Sequence, residues 1–308
     1  MSTVAKFGRK TIQIANGLLN AFVLLVILVI LSFSFYSIWD SSQIYGAASS
    51  INYEIYKPTA ESETTSFADL QAINPDVFAW ITVYGTNIDY PLVQGSNNMK
   101  YVNTDARGRH SISGAIFMDY RSDPNFSDFS SIIYGHHMEN QVMFGEIALF
   151  SDKSYFNARR YGVLYVNGQE YGMEFFAFVH TDAYDFEVFR VGITDPEEKS
   201  AYLELLMQIA MHSRPEISVT ATDRIVLLST CSPNSTNGRD ILVAKITDTI
   251  FSDPFETEEP NPTQIFPTID EFHNFWNRIP QFVKNGIATI LLLLILLTVS
   301  VAYTKRPR

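Results

Sequence analysis

The 308-residue chain has one cysteine, Cys231, which closes the apolar, β-branched run Arg224-Ile225-Val226-Leu227-Leu228-Ser229-Thr230-Cys231. A thiolate is a strong nucleophile, but a free thiol titrates near pH ~8.5, so a cysteine working at neutral pH needs a base or a positive neighbour. Two side chains fit that need. His136 follows the run Ser131-Ile132-Ile133-Tyr134-Gly135, and Arg239 opens a second apolar run that ends at Ile246. The intervening residues include Pro233, Asn234, Asn237 and Gly238, a loop composition. If the two flanking strands pair as neighbours, the loop brings Cys231 and Arg239 to one rim. Residue types alone leave a second reading open, because an unpaired cysteine is among the most buried residues and can simply close a core strand.

The elements that must position these groups are mostly strands. Val77 to Val83, Ile88 to Val93 after a Gly85-Thr86-Asn87 turn, Gly114 to Met118, Ser131 to Gly135, Gly162 to Val166 and Tyr171 to Val179 all read as strands. Gly135 lets the backbone bend, which brings the His136 ring out over the sheet rim. Two helices interrupt the pattern. Ser66 N-caps a short one that stops before Pro75, with Asp69 in its first turn. Thr194-Asp195-Pro196-Glu197 starts the other, predicted to run about 17 residues to Pro215, with Tyr202, Leu205, Leu206, Ile209 and Ala210 on one face.

Charge organises the ends. No Asp or Glu precedes Asp40 or follows Glu271, while Lys6, Arg9, Lys10, Lys305, Arg306 and Arg308 are terminal, so the middle is more acidic than the net −11 of the whole chain. That balance excludes a nucleic-acid partner, which needs clustered Lys and Arg. A single cysteine also excludes dependence on an internal disulfide. Thr11 to Trp39 carries no charge, and Gly286 to Tyr303 is similarly apolar; about 20 such residues span a bilayer. The first reads as an uncleaved signal anchor, a removed signal peptide being the alternative. Positive residues at both ends put both tails in the cytoplasm and the middle of the chain outside.

The motifs add a family. Leu227-Leu228-Ser229-Thr230-Cys231 resembles the Thr-Leu-x-Thr-Cys signature of sortases, with Leu227 replacing the first Thr, and Gly135-His136 and Arg239 lie where that family keeps its histidine and arginine. Ile73-Asn74-Pro75-Asp76, Gly85-Thr86-Asn87-Ile88-Asp89-Tyr90-Pro91, Tyr134-Gly135-His136-His137-Met138 and Met143-Phe144-Gly145 are similar to class B members in particular. The resemblance covers about Phe67 to Ile246. It implies a mainly β fold, an eight-stranded barrel with added helices, flanked here by N- and C-terminal transmembrane helices. It implies a cysteine transpeptidase that cuts a C-terminal sorting motif of surface proteins through a thioacyl intermediate, then joins the new carboxyl end to an amine. That amine is a pilin lysine or a peptidoglycan cross-bridge. Catalytic roles fall to His136, Cys231 and Arg239, substrate contacts to Tyr134 and Thr230, and no cofactor or metal is implied. A hydrolytic cysteine protease and a non-enzymatic membrane-anchored binding protein are the alternatives.

The expected organisation is a tail over 1–10, a signal anchor over 11–39, a linker over 40–65, the extracellular catalytic domain over 66–250, a linker and membrane-proximal segment over 251–284, a second span over 285–303 and a tail over 304–308. Residues with rival readings are assigned as follows. His136 and His137 point to opposite faces and do not form a metal pair. His110, His180, His212 and His273 lack ligand spacing and are read as surface or interface residues. Asp240 is read as a solvated strand-end charge, and Asp253-Pro254-Phe255 as linker, although class C sortases carry a similar lid motif.

Overall fold

The computed structural model describes residues 3–58, 65–233 and 235–256. The described chain divides into two compact units, with the boundary between Ser41 and Ser42. In the first, the described part is helix α1 (Thr3–Ala48), which continues seven residues into the second unit. Side chains from Thr11 to Asp40 are almost all exposed, and α1 is long and apolar enough to cross a membrane. The predicted span 285–303, the tail after it and His273 lie outside the described residues.

The second unit is the expected barrel. Strands β1 (Val77–Val83), β2 (Asp89–Val93), β3 (Ile116–Met118), β4 (Ser130–Tyr134), β5 (Tyr161–Val166), β6 (Gln169–Asp182), β8 (Arg224–Cys231) and β9 (Gly238–Thr247) hydrogen-bond in the order β5-β1-β2-β3-β4-β8-β9-β6. The β5–β6 pairing closes the ring. Only β2–β3 and β4–β8 are parallel. Residues 225–228 of strand β8 form an unbroken apolar run because both faces of the strand are covered there. Val226 and Leu228 point into the barrel with Leu242 and Phe178, while Ile225 and Leu227 face an outer cluster under α3 (Pro196–Ile209), with Tyr202 and Leu206. Leu227, where the signature departs from its usual Thr, is fully buried in that outer cluster, which has no use for a hydroxyl.

Two elements depart from the sequence reading. The helix begins as expected, with Asp195 capping the amides of Glu197 and Glu198 and Pro196 in the first turn, but it ends at Ile209. Ala210–Ser213 becomes strand β7 on β6. Strand β6 outruns β5, and the edge left beyond that pairing needs a hydrogen-bonding partner that Ala210–Ser213 provides; tertiary demand overrides helical spacing. The short helix α2 (Thr65–Ile73) starts one residue before its expected cap, Ser66.

Residues 40–48 and 50–56 are helical, with Ser49 extended between them. After α1, a 3₁₀ segment, Ser50–Tyr56, packs Tyr53 against the domain, and Lys57 Nζ reaches Asp89 at 2.6 Å. At the other end, Phe251 stacks on Tyr161 at 4.1 Å and Phe255 covers Gly85, where a Cβ would come within 2.5 Å of its ring. The Asp253-Pro254-Phe255 stretch is therefore docked on the barrel. Gly85 is also held at φ +72°, so its turn requires glycine on both counts.

Candidate active site

Cys231 and Arg239 are direct partners in the antiparallel β8–β9 ladder, whose pairing runs from Arg224↔Ile246 to Cys231↔Arg239. Strand alternation puts both on the outer face of the sheet at its rim, and Cys231 is exposed. The guanidinium of Arg239 donates from Nη1 to the carbonyl of Gly238 at 3.0 Å. It forms no ion pair among the described residues, so its charge is free to meet a substrate. His136 arrives from β4, which pairs in parallel with β8 as far as Tyr134↔Ser229; Gly135 N adds one further bond to Ser229 O at 3.1 Å. A cavity of about 270 Å³ is lined by Cys231, Arg239, His136, Tyr134, Gly135, Ser229, Thr230, Asn98, Val102 and Phe117.

The imidazole of His136 is oriented by a backbone group. Its Nε2 lies 2.9 Å from the carbonyl oxygen of Val102, which only accepts, so Nε2 carries the hydrogen and Nδ1 is left for other work. Gly135 is required for space: a Cβ there would lie 2.6 Å from Ile116 and 2.7 Å from the Phe144 ring. Close packing under the strand end explains this glycine better than a bend does.

Tyr134 forms a wall of the cavity, its ring beside Phe117 at 5.5 Å and Phe189 at 6.4 Å between centroids. Its hydroxyl donates to Asp119 Oδ2 at 3.3 Å. Asp119 is fully buried and also accepts from Arg121 Nε and Nη2, both at 2.8 Å, and from Asn98 at 2.9 Å. Burial alone would raise that carboxyl, but the hydrogen bonds and charge of Arg121, with help from Asn98, hold it below the usual carboxylate range. Thr230 borders the cavity, yet its hydroxyl is buried without a hydrogen-bond partner on the inward-facing side of β8. Ser229, which no sequence signal singled out beyond its place in the motif, also has a buried, partnerless hydroxyl at the cavity.

On the inner face the reading of Asp240 changes. It is 4% exposed, not solvated, because its position opposite Thr230 points it into the barrel mouth, where His180 Nδ1 meets it at 2.7 Å. His180 is thereby a half-exposed partner of Asp240. His137 is half-buried with Nδ1 unpartnered, and burial lowers its pKa, which keeps the ring neutral near pH 7. His110 is exposed, and His212 Nε2 contacts the Ser151 carbonyl at 2.7 Å. Among the described residues no three His, Cys, Asp or Glu side chains gather as a metal site.

A closed β-barrel with cysteine, arginine and histidine on one rim cavity is the arrangement that the sequence resemblance to sortases implies. Residues 81–247 match the sortase domain, and the chain belongs to the sortase family. Sortase B of Listeria monocytogenes is 32% identical over 181 residues, 58% of this chain and 72% of the relative. Among solved structures, sortase B from the type II pilus of Streptococcus pneumoniae is 51% identical with a TM-score of 0.53, covering 60% of this chain and 100% of the other. A Streptococcus pyogenes class B sortase involved in pilus biogenesis is 41% identical with a TM-score of 0.54, covering 61% and 100%. The protein is of class B, a transpeptidase that cleaves sorting motifs.

Proposed function

We propose that Cys231 is the nucleophile, His136 the proton donor and Arg239 the holder of substrate and oxyanion in a sortase that joins pilin subunits. One observation carries the reading: Cys231 and Arg239 face each other in register on the rim of the cavity that His136 also lines. In the first half-reaction the Cys231 thiolate attacks the carbonyl carbon of the scissile peptide. The tetrahedral oxyanion lies within reach of the Arg239 fork, and as the C–N bond breaks, protonated His136 gives its proton to the departing amine. A thioester to Cys231 remains. With Nε2 turned to Val102, Nδ1 is the nitrogen that moves the proton.

In the second half-reaction an amine attacks the thioester, its proton passes to His136, and Cys231 is released as thiolate. The ring of Tyr134 contacts the bound peptide, and Thr230 contributes its backbone. The acceptor we favour is a pilin lysine, supported by similarity to the two streptococcal proteins described as pilus sortases. The N-terminal span would hold the catalytic domain over 66–250 outside the cell, where substrates tethered to the same membrane reach a high effective concentration. A second span over 285–303 would confine it further.

The test uses the full chain in detergent with sorting-motif peptides, followed by mass. A thioacyl adduct on the wild type that is missing from Cys231→Ala is expected; motif peptides left uncut by the wild type would favour a binding protein. Adding a pilin-derived lysine peptide or a glycine cross-bridge peptide then compares acceptors. Faster ligation to lysine is the expected result, a preference for glycine would assign cell-wall anchoring, and amine-independent release would indicate a protease. Arg239→Lys is expected to lower kcat/KM at least about tenfold, since lysine lacks the two-pronged fork.

A further inference from the structure

His136 is held at two points, and both lead to the same short segment. Its ring is fixed by Val102, which belongs to the irregular stretch between β2 and β3. Arg107 of that stretch lies over the rings of Tyr53 and Tyr56, at 4.9 and 5.4 Å, and donates to the carbonyl of Asn52. The backbone of His136 is fixed from the other side by the loop after it. The carbonyl of His136 accepts from Phe144 N at 3.1 Å, and His137 bridges to Met143. Met143 N in turn donates to the hydroxyl of Tyr90 at 2.9 Å, and that hydroxyl donates to the carbonyl of Ala48 at 3.0 Å.

Tyr90 is 2% exposed, and burial pushes its phenol up to about 12, so the hydroxyl remains a donor at every physiological pH. The loop it grips is strained. Asn140, Gln141 and Met143 all adopt left-handed backbone angles, φ 60°, 58° and 54°, which persist only where the surroundings over-determine them. A buried hydrogen bond to the Met143 amide is such a determinant, and no catalytic step accounts for it.

We propose that Tyr90 is a positioning residue for transpeptidation. Its hydroxyl couples Ala48, the last residue of α1, to the loop that sets the His136 backbone, while Arg107 couples the 3₁₀ segment just after it to the stretch whose carbonyl sets the His136 ring. The segment from Ala48 to Tyr56 is thus part of the catalytic scaffold and not a passive tether. This rests on the reading of His136 as proton donor.

The experiment compares full-length wild type, Tyr90→Phe, Arg107→Met, His136→Ala and the control Tyr155→Phe in detergent. Tyr155 also donates a part-buried hydroxyl, to Glu146 at 2.6 Å, but bonds to neither group that holds His136, the Val102 carbonyl and the Phe144 amide. Steady-state cleavage of a motif peptide, Cys231 alkylation by iodoacetamide and imidazole ¹⁵N spectra of His136 are measured. Tyr90→Phe is expected to lower kcat about tenfold with KM within about twofold, the scale of a small misplacement of a catalytic group. Its alkylation rate should match wild type, and its His136 spectrum should lose the single Nε2–H tautomer. Arg107→Met, which keeps the stem over the tyrosine rings, should lower kcat about threefold; Tyr155→Phe should keep it. Wild-type activity in His136→Ala would overturn both the proton-donor reading and this proposal. An inactive His136→Ala beside wild-type kcat and an unchanged His136 spectrum in Tyr90→Phe would overturn the positioning role alone. If Tyr90→Phe does not fold, an unchanged kcat and spectrum in Arg107→Met overturns it.

Discussion

The two sides of the proposed active site are built by different means. Cys231 and Arg239 belong to one hairpin, and their mutual placement follows from a ladder that pairs every residue from Arg224 to Cys231. His136 lies beyond the last strand bond of β4. Its ring hangs on a carbonyl from one irregular stretch, and its backbone on a loop with three left-handed non-glycine residues. Regular pairing fixes Cys231 and the charge beside it through many equivalent bonds, so no single one decides their geometry. Placement of the histidine depends on a few specific contacts, each of which can fail alone. Turnover should therefore be lost through the histidine side well before the thiol is disturbed.

Gly145→Ala tests this with the largest expected effect. A Cβ at that position would lie 2.0 Å from the carbonyl oxygen of Met138, a backbone atom that cannot swing aside. The loop over 138–145 must open, with a cost of roughly 1–3 kcal/mol or more for overpacking. Expected outcomes are a fall in kcat of more than about tenfold and wild-type alkylation of Cys231, because the hairpin is untouched. Equal loss of both would show that the two sides are not independent.

Asp119→Asn falls next, because that carboxylate ties Asn98 from the loop side to Tyr134 from the strand side. An amide placed among the donors of Arg121, Asn98 and Tyr134 loses at least one acceptor, for a cost of about 2–4 kcal/mol in the unfolding free energy from urea titration at neutral pH. The pH sign follows from the lowered folded pKa of Asp119. Its stabilisation is complete above the ordinary carboxylate range and is lost as pH falls through the depressed folded value. Urea midpoints taken from neutral pH into the acid range should fall less steeply for Asp119→Asn than for wild type.

Legibility in the sequence follows the same division. The strand side could be read directly: β-branched runs located β8 and β9, the loop composition between them implied a hairpin, and Cys231 and Arg239 face each other as the pairing requires. His136 could be placed at a strand end, but not its tether, because a backbone carbonyl such as that of Val102 leaves no mark in residue type. Asp240 was misread because the side a strand residue faces depends on the register, here fixed by its pairing with Thr230 and His180. Ala210 was misread because helical spacing continues past Ile209, and only the open edge of β6 redirects the chain. Tyr90 and Arg107 lay unseen because each acts on contacts more than 35 residues away in sequence, with Ala48, Met143 and Asn52.

Tyr134 stands on the strand side and supplies the smallest expected effect. Its place in the cavity wall comes from the β4–β8 pairing and from Phe117 and Phe189, all of which Tyr134→Phe retains. The hydroxyl bond to Asp119, at 3.3 Å, is longer than a well-formed O–H···O contact, and Asp119 keeps Arg121 and Asn98 without it. Loss of stability should stay within ~1 kcal/mol and kcat/KM within about threefold of wild type. The alkaline limb of the pH–rate profile should not move either. Burial first, and then the negative charge of Asp119, push the phenol far above its ordinary value, so it does not ionise where the enzyme works. A kcat fall above about tenfold with KM unchanged would mean that the hydroxyl acts in the chemistry, and the strand side would then depend on single contacts as the histidine side does.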